Sequence, residues 1–375
     1  MAGFGAAPRA FSPLMRGEIR SLVGLRGIAA CWIMLGHYRI GEWSEAPVFQ
    51  AAISHYYLAV DLFLILSGFV LALTYEKRFT PPVAAGEFRR FLVHRLARIY
   101  PLYALSTLVC LALMRAGLTV WGDPHRSPAA IAANLLMVQA WWWPDDSLNS
   151  PGWSISTEWA ANLLFGVFVM GLLRAAPRRA ALVAGAALAC LGGFALLLGP
   201  TAPEHMRLGQ IGWYSSPLSL MRCITEFMLG MYCWRLRSRA GWAAGLGCTA
   251  ALLGLVAVIL LAILTVVTPS PDIVFVLACC GLIVGLSFER SWVATALGGP
   301  VLRWLGTISF SLYLWHVPLL PLRQALGEAL AGRVATPVAL ATAITFAAVL
   351  GVSTLSYHGI EKPARRWLRR VLDAV

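Results

Sequence analysis

Residues 22–38 read LVGLRGIAACWIMLGHY. Arg26 and His37 are the strong polar groups in an otherwise apolar run of 17 residues. A helix needs about 20 apolar residues to cross a bilayer. In lipid, only a helix or a closed barrel satisfies its own backbone. The run therefore reads as a membrane-spanning helix carrying two groups that lipid does not tolerate on its surface. Similar stretches follow at 52–73, 91–114, 155–173, 180–198, 217–234, 242–266, 273–286, 302–322 and 338–357, making ten. Residues 131–140 are apolar but too short, and read as an interfacial or re-entrant segment.

Composition agrees. Hydrophobic residues are 59% of the 375 and charged residues 13%, about half the usual charge of a soluble domain. Ten spans place the connecting segments alternately on two sides. One side then receives 22 of the 30 Lys and Arg, including Arg16, Lys77, Arg89, Arg178, Arg237, Arg290 and the tail Lys362–Arg370 cluster. The positive-inside rule makes that side cytoplasmic. The expectation is an all-α, polytopic membrane helix bundle with both termini in the cytoplasm. A segment 1–19 precedes one transmembrane domain, 20–360, and a basic tail, 361–375, follows it. The net charge of +13 is thus an orientation signal that also suits anionic lipid or an anionic ligand, not nucleic acid. No apolar run with a cleavage site precedes residue 18, so no signal peptide is expected.

The eight cysteines lie in apolar stretches without C-x-x-C spacing, and no His/Cys cluster suggests a metal. Trp141, Trp142 and Trp143 read as an interfacial aromatic belt or a stacking platform for a sugar or lipid headgroup.

Ionisable groups inside spans are costly and mark function. Arg26 and His37 are eleven residues apart, which puts them within about 20° on one helix face and roughly 16 Å apart along the axis. Asp61 lies in the second span, beside Ser67 and Gly68, which permit close helix approach. Arg95 and Arg98, three apart at the inner end of the third span, share a face and suit phosphate. Glu158 is expected in the first turn of the fourth span, at the outer surface, where the helix dipole favours a carboxylate. Arg222 and Glu226, at i and i+4, are expected to neutralise each other. Tyr313 and His316 lie at the end of the ninth span.

These segments, in order, resemble the acyltransferase family 3 of integral membrane proteins. RGIAACWIMLGH resembles its Arg-x10-His element, and AVDLFLILSGFVLA its Gly-Val-Asp-Phe-Phe-x-x-Ser-Gly-Phe segment, with Ala59 and Leu62 as departures. RLARIYPLY resembles its Arg-x-x-Arg segment, and WSISTEW, with Trp153, Ser156 and Glu158, its Trp-Ser-x-Ser-x-Glu segment. RCITEFMLG, SFSLYLWHVP and YHGIEKPAR resemble the remaining three, with Phe310 in place of a Tyr. The resemblance implies an enzyme of the bacterial cytoplasmic membrane that moves an acyl group, usually acetyl, from cytoplasmic acyl-CoA to a hydroxyl of an extracytoplasmic carbohydrate or lipid-linked sugar of the cell envelope. No cofactor is bound and no metal is implied; acetyl-CoA is a substrate. In this reading His37 is the general base and Glu158 orients it or compensates its charge. Arg26, Arg95 and Arg98 hold the acyl-CoA. Asp61, Trp153, Ser156, Arg222, Glu226, Tyr313 and His316 form either an acceptor-side or a structural polar network. A homo-oligomer is compatible with this reading. A transporter or flippase of a glycan or lipid is the rival, because intramembrane charges suit transport too; the expected absence of an internal repeat and of a pair of clearly broken helices argues against it.

Overall fold

A computed structural model describes residues 18–40, 46, 49–50, 53, 55–79, 84–118, 124–142, 147–198, 217–239 and 272–373. The expected span 242–266 and Trp143 lie outside these. Among the described residues every regular element is a helix. They are α1 (Arg20–His37), α2 (Leu58–Tyr75), α3 (Ala85–Arg115), α4 (Pro128–Leu135), α5 (Gln139–Trp142), α6 (Gly152–Leu163) and α7 (Phe165–Phe168), which continues as a π-helical turn (Val169–Arg174). Next come α8 (Pro177–Leu198), α9 (Pro217–Arg239), α10 (Asp272–Leu286), α11 (Trp292–Leu297), α12 (Pro300–Trp315), α13 (Leu320–Leu330) and α14 (Pro337–Ser356). After α14, a second π-helical turn (Tyr357–Glu361) leads into α15 (Lys362–Asp373).

Local chemistry starts several of these. Ser127 and Ser291 cap α4 and α11 by accepting from Ala130 N and Ala294 N, and a proline opens α4, α12, α13 and α14, where its missing N–H costs nothing. Three helices are long and apolar enough to cross a membrane: Leu58–Tyr75, Ala85–Arg115 and the run Pro337–Trp367. Two bent pairs raise this to five. These pairs correct the sequence reading. The expected span 155–173 is α6 and α7, bent by 58°, and the expected span 302–322 is α12 and α13, bent by 79°. In the second case Pro318 and Pro321 cannot donate to the helix ladder, so the helix stops at Trp315. The first ends in the π-helical turn, whose orphan carbonyls are taken by side chains from α9. Arg235 donates to Leu172 O at 2.6 Å, Leu173 O at 3.0 Å and Ala175 O at 2.9 Å, and Arg239 donates to Leu173 O at 2.7 Å. The short expected segment 131–140 is the pair α4 and α5.

Side-chain contacts give the relative directions of three helix pairs. α1 and α12 run parallel: Gly24 abuts Leu302 and the His37 ring lies beside His316. α2 and α9 also run parallel, with Asp61 against Arg222 at one end and Glu76 against Trp234 at the other. α3 and α6 are antiparallel, joined at Tyr103 with Gly152 and at Arg95 with Asn162. The α2–α9 pair packs backbone against backbone. A Cβ on Gly68 would lie 1.9 Å from Phe227 O, and one on Gly230 would lie 1.9 Å from Ile65 O. Helices in lipid gain little from hydrophobic contact, so backbone approach through small residues holds them. A cluster of Phe79, Phe91 and Phe165, fully or nearly fully buried, with ring centroids 4.7 to 5.6 Å apart, fastens the start of α3 to α7.

Gly68→Ala and Gly230→Ala are each expected to lower unfolding stability in detergent by about 1–3 kcal/mol. Gly185→Ala, with nothing within 4 Å of its added Cβ, leaves stability unchanged or raises it by up to about 1 kcal/mol. Thermal unfolding of the three variants checks the difference.

Candidate active site

Five helices enclose a cavity of about 110 Å³. α1 contributes Arg26, α2 Phe63 and Ser67, α3 Arg95 and Arg98, α6 Ser154 and Glu158, and α12 Ser309, Phe310 and Tyr313. Apolar residues of α2, among them Val60, Leu64 and Leu71, make up most of the remaining wall.

Glu158 is the centre of the polar wall. Its Oε1 accepts from Ser67 Oγ at 2.5 Å and from Arg95 Nη2 at 2.7 Å. Arg95 is 6% exposed, and its Nε donates to Asn162 Oδ1 at 3.2 Å. Glu158 and Asn162 are four residues apart on one face of α6, so a single helix offers Arg95 both acceptors. Arg26 and Arg98 also face the cavity, and among the described residues neither has a hydrogen-bond or ion-pair partner. Three guanidiniums against one carboxylate leave two positive charges in the wall. Arg26 and Arg98 are half-buried, and unpaired cations there favour an anionic partner. Guanidinium forks match phosphate oxygens.

The histidines occupy a second place. His37 is half-buried at the last turn of α1, its Nδ1 3.0 Å from Ile33 O. A carbonyl only accepts, so Nδ1 carries the proton and Nε2 holds the lone pair. The His37 ring meets the Tyr56 ring edge-on at 4.8 Å and lies 4.9 Å from the ring of His316. His316 is fully buried; its Nδ1 is 3.3 Å from Leu312 O, and its Nε2 has no partner among the described residues. Neither histidine lines the arginine cavity. Tyr313 and Phe63 stand between: Tyr313 is 5.9 Å from His316 and 6.1 Å from Phe63, ring to ring, and both line the cavity. The Tyr313 hydroxyl bonds Ser154 Oγ at 2.7 Å and Pro151 O at 3.1 Å.

Several expectations are corrected by this geometry. Glu158 is not in the first turn of its helix, because α6 begins at Gly152, and it lies within the bundle beside Arg95. It bonds Arg95 and Ser67, and no hydrogen bond joins it to His37. Arg95 is already paired, whereas Arg98, on the same face, is not. The chief partner of Arg222 is not Glu226 but Asp61, which is fully buried. Arg222 Nε lies 2.8 Å from Asp61 Oδ1, and Nη2 bonds Oδ2, while Glu226 Oε1 is 3.4 Å from Nε. This triad lies away from the cavity wall. Ser156 is also elsewhere: its Oγ accepts from Ala140 N and its carbonyl from the Trp141 indole, tying α5 to α6. Trp153 is buried in the apolar core. Asn162 and Tyr56 were not singled out in the sequence. For Asn162 the signal was an amide one turn beyond Glu158 in an apolar stretch. Among the described residues no three His, Cys, Asp or Glu side chains converge as metal ligands.

Apolar helices around an internal polar site define an integral membrane protein. Residues 19–358 match the acyltransferase 3 family, described as an acyltransferase domain, and the chain belongs to that family. It is an acyltransferase. Acyltransferase MdmB of Streptomyces mycarofaciens is 28% identical over 387 residues, covering 94% of this chain and 93% of that protein. Exopolysaccharide production protein ExoZ of Rhizobium meliloti (strain 1021) is 25% identical over 326 residues, covering 82% of this chain and 89% of ExoZ. No solved structure matches the chain.

The buried triad makes an asymmetric prediction. Arg222→Met leaves two buried carboxylates together and is expected to cost about 3–5 kcal/mol. Asp61→Asn leaves Glu226 as counter-ion and costs about 1–3 kcal/mol. Thermal unfolding of the purified variants ranks the two.

Proposed function

We propose that this enzyme transfers an acyl group, acetyl first, from acyl-CoA to a hydroxyl of a carbohydrate or lipid-linked sugar on the far side of the membrane. The observation that carries the reading is the pair of cavity-facing guanidiniums, Arg26 and Arg98, without a protein partner beside the Arg95–Glu158 pair. A phosphate-bearing donor supplies the missing negative charge. The charge bias of the sequence puts this end of the bundle at the cytoplasm, where acyl-CoA is made. The name of ExoZ, a protein of exopolysaccharide production, supports a carbohydrate acceptor.

In this mechanism Arg26 and Arg98 hold phosphoryl groups, and the pantetheine arm extends past Tyr313 and Phe63 toward His37. The acceptor hydroxyl attacks the thioester carbonyl while His37 Nε2 takes its proton. The C–S bond breaks, the sulfur leaves with the electron pair, and the imidazolium returns the proton to it. The products are the O-acyl ester and CoA. Glu158 acts on the donor side, holding Arg95 in the wall, rather than on the histidine.

Labelled acetyl-CoA and a crude envelope extract, given to the protein in nanodiscs, test this. His37→Ala is expected to lower transfer by about 10²–10⁴-fold while acetyl-CoA still binds. Arg98→Gln is expected to raise the KM for acetyl-CoA. Transfer that survives His37→Ala would discard the base. A folded protein that transfers from no acyl-CoA would remove the donor assignment.

A further inference from the structure

At the end of the cavity where the C-terminal helix packs on α3, a second charged cluster stands behind the wall. Glu361, in the π-helical turn after α14, is 1% exposed. One of its oxygens accepts from Ser311 Oγ, and the other lies 2.6 Å from Arg365 Nη2. Ser311 follows Ser309 and Phe310, both in the cavity wall. Arg365 is partly buried. Its Nε is buried without a partner among the described residues, so one edge of the fork is fastened and another donor points into the protein unused. Its charge acts on both Arg26 and Arg98. Glu361 lies on the same side and offsets part of that charge at Arg26. The turn that presents Glu361 has the wide π-helical form, frequent at functional sites, and it packs against α3, the helix of Arg95 and Arg98.

We infer that Arg365, positioned by Glu361 and Ser311, is a fourth phosphoryl ligand that recognises the nucleotide end of the donor. This rests on the acyl-CoA reading above and extends it from the cavity wall to the tail. Arg26 and Arg98 supply the two uncompensated charges. Arg365 adds directed donors whose own charge Glu361 balances, so it selects for a donor carrying more phosphate rather than simply raising the positive field. Glu361 and Ser311 are positioning residues: Ser311 holds Glu361, and Glu361 holds Arg365.

The test compares acetyl-CoA, acetyl-dephospho-CoA and S-acetyl-pantetheine as donors for the full-length protein in nanodiscs. Arg365→Gln is expected to raise the KM for acetyl-CoA about tenfold, the size of one lost charge-assisted contact. The KM for S-acetyl-pantetheine, which has no phosphate, is expected to stay put. An equal rise with both CoA donors assigns the diphosphate, and a rise with acetyl-CoA alone assigns the 3′-phosphate; both support the inference. Glu361→Gln keeps the cation but loosens it, and is expected to raise the KM for acetyl-CoA about threefold by the same contact. If Arg365→Gln does not fold, Arg365→Lys decides, because lysine keeps the charge and loses the fork; its KM for acetyl-CoA is expected to rise while that for S-acetyl-pantetheine does not. Equal changes in KM for all three donors, or none, would overturn the role of Arg365. Wild-type protein that binds no acetyl-CoA at all would instead overturn the donor assignment itself.

Discussion

The contact between Arg95 and Glu158 sets the terms for the rest of the cavity. An arginine cannot be neutralised by losing its proton, so once α3 carries one into the bundle the protein must bring a carboxylate to it. α6 does so and adds Asn162 one turn on; α2 adds the hydroxyl of Ser67 to the same carboxylate oxygen. Three helices are thereby fixed around one ion pair. The same pair exhausts the available negative charge, which is why Arg26 and Arg98 face the cavity unpaired. The protein answers the buried ions of α2 and α9 differently. Asp61 takes both the Nε and Nη2 of Arg222, and Glu226 lies 3.4 Å from the same Nε, so two carboxylates surround one cation and no positive charge is left over there. The uncompensated cations are those of the cavity wall.

What the sequence made legible was the part encoded along single helices. The close approach at Gly68 follows from a small residue within a span. What it hid was the pairing between spans. Arg222 offered a local partner at i+4, Glu226, and the reading took it. The bidentate partner, Asp61, comes from a helix 161 residues away, and no periodicity announces it. Glu158 was placed at a helix start because α6 was read without its first turn; one misplaced boundary moved the residue from a surface to the centre of the bundle and gave it the wrong partner. The breaks after α6 and α12 were missed for a related reason. Apolar content measures whether a stretch suits lipid, not whether it runs straight, although Pro318 and Pro321 carried the second break in plain view.

The arginine cavity and the histidine pair are separate, and the sizes of the interactions between them explain how they work together. Tyr313 is held by two hydrogen bonds, to Ser154 and to Pro151 O, and by contact with Phe63. Each such bond is worth about 1 kcal/mol net. Under the proposed function, a phosphate-bearing donor that pairs with Arg26 and Arg98 would gain charge-assisted hydrogen bonds against that small cost of displacing Tyr313. Ser154, which holds Tyr313, and Glu158, which holds Arg95, lie four residues apart on one face of α6. One turn of α6 therefore holds both the arginine of the cavity wall and the tyrosine beside the histidines.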